Sequence, residues 1–166
     1  MMGVFAVAGM KVAANVNRLP VVRDPFQIQI GRIATPTTRP GGTVSGSMNG
    51  LTGAERRVAN DLVGRGNRVE IIPRDPNAID KTPDFRINGV RTELKTLENA
   101  NTGTGMKRIQ QGFAQNAETV IVDARGTGMT NMQAQEMLNR AAGKFPNGQL
   151  PGKVEIWIEG STIMWP

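Results

Sequence analysis

At 166 residues the chain is long enough for one domain with a buried core. It contains no cysteine and no histidine, which excludes disulfides, thiolate metal sites, His-ligated zinc and every Ser-His-Asp or Cys-His nucleophile system. Its net charge of +6 has the sign that suits a nucleic-acid partner, and no run approaches the roughly 20 apolar residues of a membrane span. Any hydrolytic chemistry must therefore run on carboxylates, lysine, hydroxyls and metal ions. No dinucleotide cofactor is expected.

Residues 1–50 read as an arm, and four of the six net positive charges lie there, with Lys11, Arg18, Arg23, Arg32 and Arg39 set against Asp24. Met1 to Met10 is apolar but lacks a basic leader, so it is a poor secretion signal. Gly3 to Val16 could form a short helix, and Phe26 to Ile33 alternates like a strand. Thr35 to Asn49, rich in Thr, Gly, Ser and Pro, reads as a linker.

Compact structure is expected over 51–166. Thr52-Gly-Ala-Glu55 is a capping box opening a helix with Val58, Leu62 and Val63 as its apolar positions, ended by Gly64 and Gly66. Arg68 to Ile72 reads as a strand, stopped by Pro73, and 74–82 as a polar loop. Asn88-Gly89 then marks a two-residue hairpin, because a type I′ turn needs positive φ at both central residues. With the turn there, Phe85 faces Thr92, Arg86 faces Arg91, and Asp84 faces Glu93. Phe85, Ile87, Val90, Thr92 and Leu94 share one face; Asp84, Arg86, Arg91, Glu93 and Lys95, all charged, share the other.

The rest of the chain alternates helix and strand. Asn99 to Gly105 reads as a loop, Met106 to Ala117 as a helix, and Thr119 to Val122 as a buried strand. A helix capped by Thr130 or Asn131 should run through Ala142, with Met132, Met137 and Leu138 as packing residues. Val154 to Glu159 and Ser161 to Trp165 close the chain as two strands, their tryptophans better suited to packing than to base stacking. The expected order is α-β-β-β-α-β-α-β-β, an α/β (α+β) fold with a mixed central sheet flanked by helices.

Asp84 opposite Glu93 sets like charges about 5 Å apart. A divalent cation between them converts repulsion into coordination, since Mg²⁺ and Mn²⁺ take oxygen ligands, with Zn²⁺ as an alternative. Lys95 on the same face can meet a phosphate, and the three together suit metal-assisted phosphodiester cleavage. The plainer reading is a solvated face neutralised by Arg86 and Arg91. Lys107, Gln110 and Gln111 share one side of the following helix. They are either a solvated face or, with Lys107 and Gln111 foremost, contacts to substrate.

Pro83-Asp84, eight residues, then Glu93-Leu94-Lys95 resemble the signature of the PD-(D/E)xK nuclease superfamily. The order helix, three strands, helix, strand over about 52–124 resembles its restriction-endonuclease-like core. That resemblance implies a metal site of Asp84 and Glu93 joined by Glu55, which could otherwise serve only its helix cap. It implies catalytic roles for Glu55, Asp84, Glu93 and Lys95, with substrate entering along Arg86, Arg91, Lys107 and Gln111.

Ala54-Glu55-Arg56, the Pro83-Asp84-Phe85 strand, Thr92-Glu93-Leu94-Lys95 and the run Ile109 to Val122 are most similar to the C-terminal tRNase domain of contact-dependent growth inhibition toxins. The resemblance implies a nuclease delivered from the cell surface as part of a larger toxin. It would cleave RNA, with tRNA favoured, in a target cell's cytoplasm, and a cognate immunity protein would block it. A DNA endonuclease of the same fold and a non-enzymatic basic adaptor are the rival readings.

Overall fold

The computed structural model describes residues 41–165 apart from 74–76 and 78–81, all within one compact unit. The helix and strand expected within residues 1–33 lie outside the described residues, as does most of the 74–82 loop.

Among the described residues, three helices and seven strands form, in the order β1 (Thr43–Ser45), α1 (Gly53–Gly64), β2 (Arg68–Ile71), β3 (Phe85–Ile87), β4 (Val90–Thr96), α2 (Thr102–Phe113), β5 (Thr119–Asp123), α3 (Asn131–Ala142), β6 (Lys153–Ile158) and β7 (Ser161–Trp165). A 3-10 turn at Pro146–Gly148 precedes β6. All seven strands join one sheet, and each lies beside its neighbours in the chain. β1–β2, β4–β5 and β5–β6 pair parallel; β2–β3, β3–β4 and β6–β7 pair antiparallel. The two parallel steps from β4 to β6 need crossovers, which α2 and α3 supply.

Helices cover both faces. Val58, Ala59 and Leu62 of α1 pack with Val69, Phe85, Leu94, Ile121 and Trp157 on one side. On the other, Ile109 of α2 and Met137 and Leu138 of α3 pack with Val120, Val122, Val154 and Ile156. The apolar run of β5 is therefore buried on both faces, as expected for a central parallel strand.

Two glycines of α2 permit close approach. A Cβ on Gly105 would lie 1.7 Å from Met137 Sδ, and one on Gly112 would lie 2.6 Å from Val120 Cγ2. Bare backbone at these positions lets α2 settle onto α3 and β5.

The structure departs from the sequence reading in several places. The sheet reaches into the expected arm and linker: β1 pairs with β2, and Gly42 and Thr43 donate to the carbonyls of Val63 and Asn67 at 2.9 and 3.2 Å. α2 starts at Thr102 rather than Met106, because Asn101 caps it by accepting from the Thr104 N–H at 2.8 Å. The Gly103-Thr104-Gly105 stretch is therefore helix, not a loop. The hairpin faces are not apolar against solvated: Val90 is exposed while Glu93 is buried, because β4 lies inside the sheet. Met132, read as a packing residue, is exposed.

Candidate active site on the β3–β4 hairpin

The hairpin turn has φ of 53° at Asn88 and 91° at Gly89. Asn88 also ties the turn to β2: its N–H donates to the Arg68 carbonyl at 2.8 Å, and its Oδ1 accepts from the Arg68 N–H at 2.9 Å. The register pairs Phe85 with Thr92 and Arg86 with Arg91. Continued by one residue, it brings Asp84 to Glu93, where the Asp84 N–H donates to Glu93 Oε2 at 3.1 Å. The Asp84 carbonyl accepts from the Ile72 N–H at 3.0 Å. Asp84 is thus fixed from both neighbouring strands, just before β3 begins.

Glu93 is 1% exposed and Asp84 8%. Lys95 Nζ donates to Glu93 Oε1 and, at 2.7 Å, to Gln115 Oε1. Glu93 and Lys95 pair with Val120 and Val122 of β5, so they lie on the sheet face that α2 and α3 cover. Burial raises the Glu93 carboxyl above its ordinary range; the hydrogen bond from Lys95 opposes this, and the charge of Asp84 adds to it. Two buried, mutually repelling carboxylates beside a fixed ammonium are a costly arrangement for stability alone.

Glu55 is buried too, but on α1, whose packing face is the opposite side of the sheet. It completes the capping box: the Thr52 N–H donates to its Oε2 at 2.6 Å, and its own N–H donates to Thr52 Oγ1 at 3.2 Å. A cleft of about 260 Å³ lies between the segment entering α1 and the hairpin, lined by Ser47, Asn49, Leu51, Ile72 and Asp84 among others. Among the described residues, no three acids gather at metal-holding spacing. The structure brings Asp84, Glu93 and Lys95 together; it does not add Glu55 to them as a cluster of three acids.

The residues expected to meet substrate surround this centre. Arg86 is exposed and shares the Glu93 face of the hairpin. Arg91 pairs with Glu118 at 2.9 Å, not with the two acids. Lys107 and Gln111 are exposed on α2, where Gln111 accepts from Arg108 at 3.4 Å. Lys107 and Gln111 share one side of α2; α2 ends at Phe113, short of the Ala117 expected from the sequence, and Gln115 lies in the turn that follows it. Gln115 was not among the expected site residues, since its approach to Lys95 depends on where α2 ends.

Fit to a divalent cation follows from the donor set. Asp84 and Glu93 offer hard oxygen ligands in a buried setting, where the charge of Asp84 raises the cost of ionising Glu93. That chemistry suits Mg²⁺ or Mn²⁺ better than Zn²⁺, which favours the nitrogen and sulfur ligands this chain lacks.

The family model described as the contact-dependent growth inhibition CdiA C-terminal domain matches residues 81–163, half of the chain. This chain belongs to that CdiA C-terminal domain family. The matched span takes in Asp84, Glu93, Lys95 and Gln115, whereas Glu55 precedes it. Among solved structures, a CdiA-CT/CdiI toxin and immunity complex from Burkholderia pseudomallei aligns with a TM-score of 0.54 at 17% identity, over 75% of this chain and 98% of that one. At that identity the similarity is one of fold. No curated protein matches the sequence. As a member of the CdiA C-terminal domain family, the chain carries its Asp84–Glu93 pair in the part of the sequence that matches the family.

Proposed function

We propose that this chain is a toxin domain of a contact-dependent growth inhibition system. In this reading it is a metal-dependent nuclease with a PD-(D/E)xK site that cleaves RNA, tRNA foremost. It would be delivered from the cell surface as part of a larger toxin, act in the target cell's cytoplasm and be neutralised by a cognate immunity protein. The observation that carries the reading is the buried Asp84–Glu93 pair with Lys95 fixed against Glu93. Family membership and the fold similarity to a toxin of a toxin–immunity complex support the biological setting.

Asp84 and Glu93 would hold the divalent ion, with Glu55 the candidate third ligand through a carboxylate that already caps α1. Bound there, the ion would supply activation of water and neutralisation of charge on the scissile phosphate. Lys95 stabilises negative charge growing on a phosphate oxygen, an effect strengthened by its dry surroundings. Arg86, Arg91, Lys107 and Gln111 would guide the phosphate backbone. Such contacts weaken as salt rises. Arg91 engages Glu118 rather than either site acid, which speaks against a neutralised structural face.

Incubation of the protein with total tRNA and, separately, with plasmid DNA tests this, in Mg²⁺, Mn²⁺, Zn²⁺ or EDTA and beside Glu93→Gln. Discrete tRNA fragments that vanish with EDTA and with the variant are expected. Cutting of plasmid in preference to tRNA would keep the site and change the substrate. Retained cleavage by Glu93→Gln would refute the site.

A further inference from the structure

We propose that Gln115 is a positioning residue for Lys95, its Oε1 holding the ammonium in place so that the remaining N–H is presented to a substrate phosphate oxygen. This deepens the nuclease reading and rests on it.

An ammonium has three donors. Lys95 Nζ gives one to Glu93 Oε1 and one to Gln115 Oε1 at 2.7 Å, and the third makes no hydrogen bond among the described residues. A lysine on a strand has a flexible four-carbon stem, so one carboxylate two residues away on the same strand leaves its head free to swing. Gln115 comes from a different element, and two acceptors from two directions fix the head.

The Gln115 backbone is itself fixed. Its N–H donates to the Gly112 carbonyl at 3.1 Å, and that of Asn116 donates to Phe113 at 3.0 Å. Asn116, at φ of 59°, then turns the chain away toward β5. Gly112 seats this turn against Val120, the residue paired with Glu93 across β4 and β5. The packing that places the end of α2 thus also places Gln115 over the site.

The chemistry suits an amide. A third carboxylate here would add to the repulsion between Asp84 and Glu93, whereas an amide oxygen accepts from the ammonium without adding charge. The Gln115 amide N–H₂ makes no hydrogen bond among the described residues. It stands beside the third Lys95 donor as a second donor for the same phosphate.

The test uses Gln115→Leu and Gln115→Glu in the full chain, with two readouts. In the tRNA assay, Gln115→Leu should lower kcat by about 10- to 100-fold and leave KM within about twofold, the scale of misplacing a catalytic group. In ¹H–¹⁵N spectra of lysine ammonium groups, the wild type should show one exchange-protected signal, assigned by its loss in Lys95→Arg. That signal should disappear in Gln115→Leu and persist in Gln115→Glu, which keeps an acceptor oxygen but shifts the metal concentration needed for cleavage. A wild-type rate in Gln115→Leu, or an unchanged ammonium signal, would overturn the proposal. A wild-type chain that cuts neither RNA nor DNA would instead overturn the nuclease reading, and an active Glu93→Gln would overturn its site; the ammonium signal would then decide the positioning role by itself.

Discussion

Ionising a carboxylate is costly where water is excluded, and Glu93 sits where that cost is highest. Burial raises its pKa above the ordinary 4.5, Lys95 pulls it down, and Asp84 pushes it up. The folded protein therefore holds this proton more tightly than the unfolded chain does. Between 4.5 and the raised value unfolding releases a proton, so stability falls as pH rises through that window. Urea denaturation across pH in EDTA should show this fall in the wild type and lose it in Glu93→Gln. Identical pH profiles would show that Glu93 carries no such strain. Glu155 runs the other way. Burial pushes it up, but hydrogen bonds from Lys153 at 2.7 Å and Trp157 Nε1 at 3.0 Å outweigh burial and hold it below 4.5. Its contribution is present above 4.5 and is lost as pH falls through the lowered value. At this scale the meeting of Asp84 with Glu93 was readable from Asn88-Gly89, because a two-residue turn fixes register. The dryness of that pair was not readable, since it depends on strands and helices that come later in the chain.

An isolated helix with glycines at 103, 105 and 112 would be a poor one, because each glycine costs roughly 1 kcal/mol against alanine. Packing reverses the preference at Gly112. Its added Cβ would meet Val120, a stiff β-branched side chain with no exposure. Gly112→Ala should therefore destabilise the protein by about 1–2 kcal/mol despite the better helix propensity. The cost should shrink in a Val120→Ala background, where the clash is removed. Equal cost in both backgrounds, measured by chemical denaturation, would refute the contact. The same glycines explain why α2 begins four residues before the sequence suggested. Local chemistry reads Gly103-Thr104-Gly105 as a loop, while the Asn101 cap and close packing on Met137 hold it as helix. Thr52 and Thr130 were legible as caps because each carries its partner, Glu55 or Gln133, three residues on.

Among the described residues, seven strands in chain order leave two edges, and β1 protects the one beside β2. It is short and exposed, as edge strands that avoid aggregation tend to be. A chain begun at Ser47 would lose β1 and bare the outer edge of β2; it should elute from size-exclusion as a larger species than a chain begun at Pro36. Equal elution would show that β1 protects nothing. The alternation of helix and strand was legible at this scale because hydrophobic period and turn residues agree along most of 52–165. β1 was not, since three residues in a Gly- and Ser-rich stretch carry no period of their own. The sequential sheet also bears on kinetics. No strand has to thread between two already placed, so each can add to an edge formed by the segment just before it. The antiparallel pairs β3–β4 and β6–β7 close over two-residue turns, and each parallel pair closes over a single helix, so every pairing joins consecutive strands. Were the delivery proposed above to pass the chain through an unfolded state, the order of its strands would give it a route back to the native state.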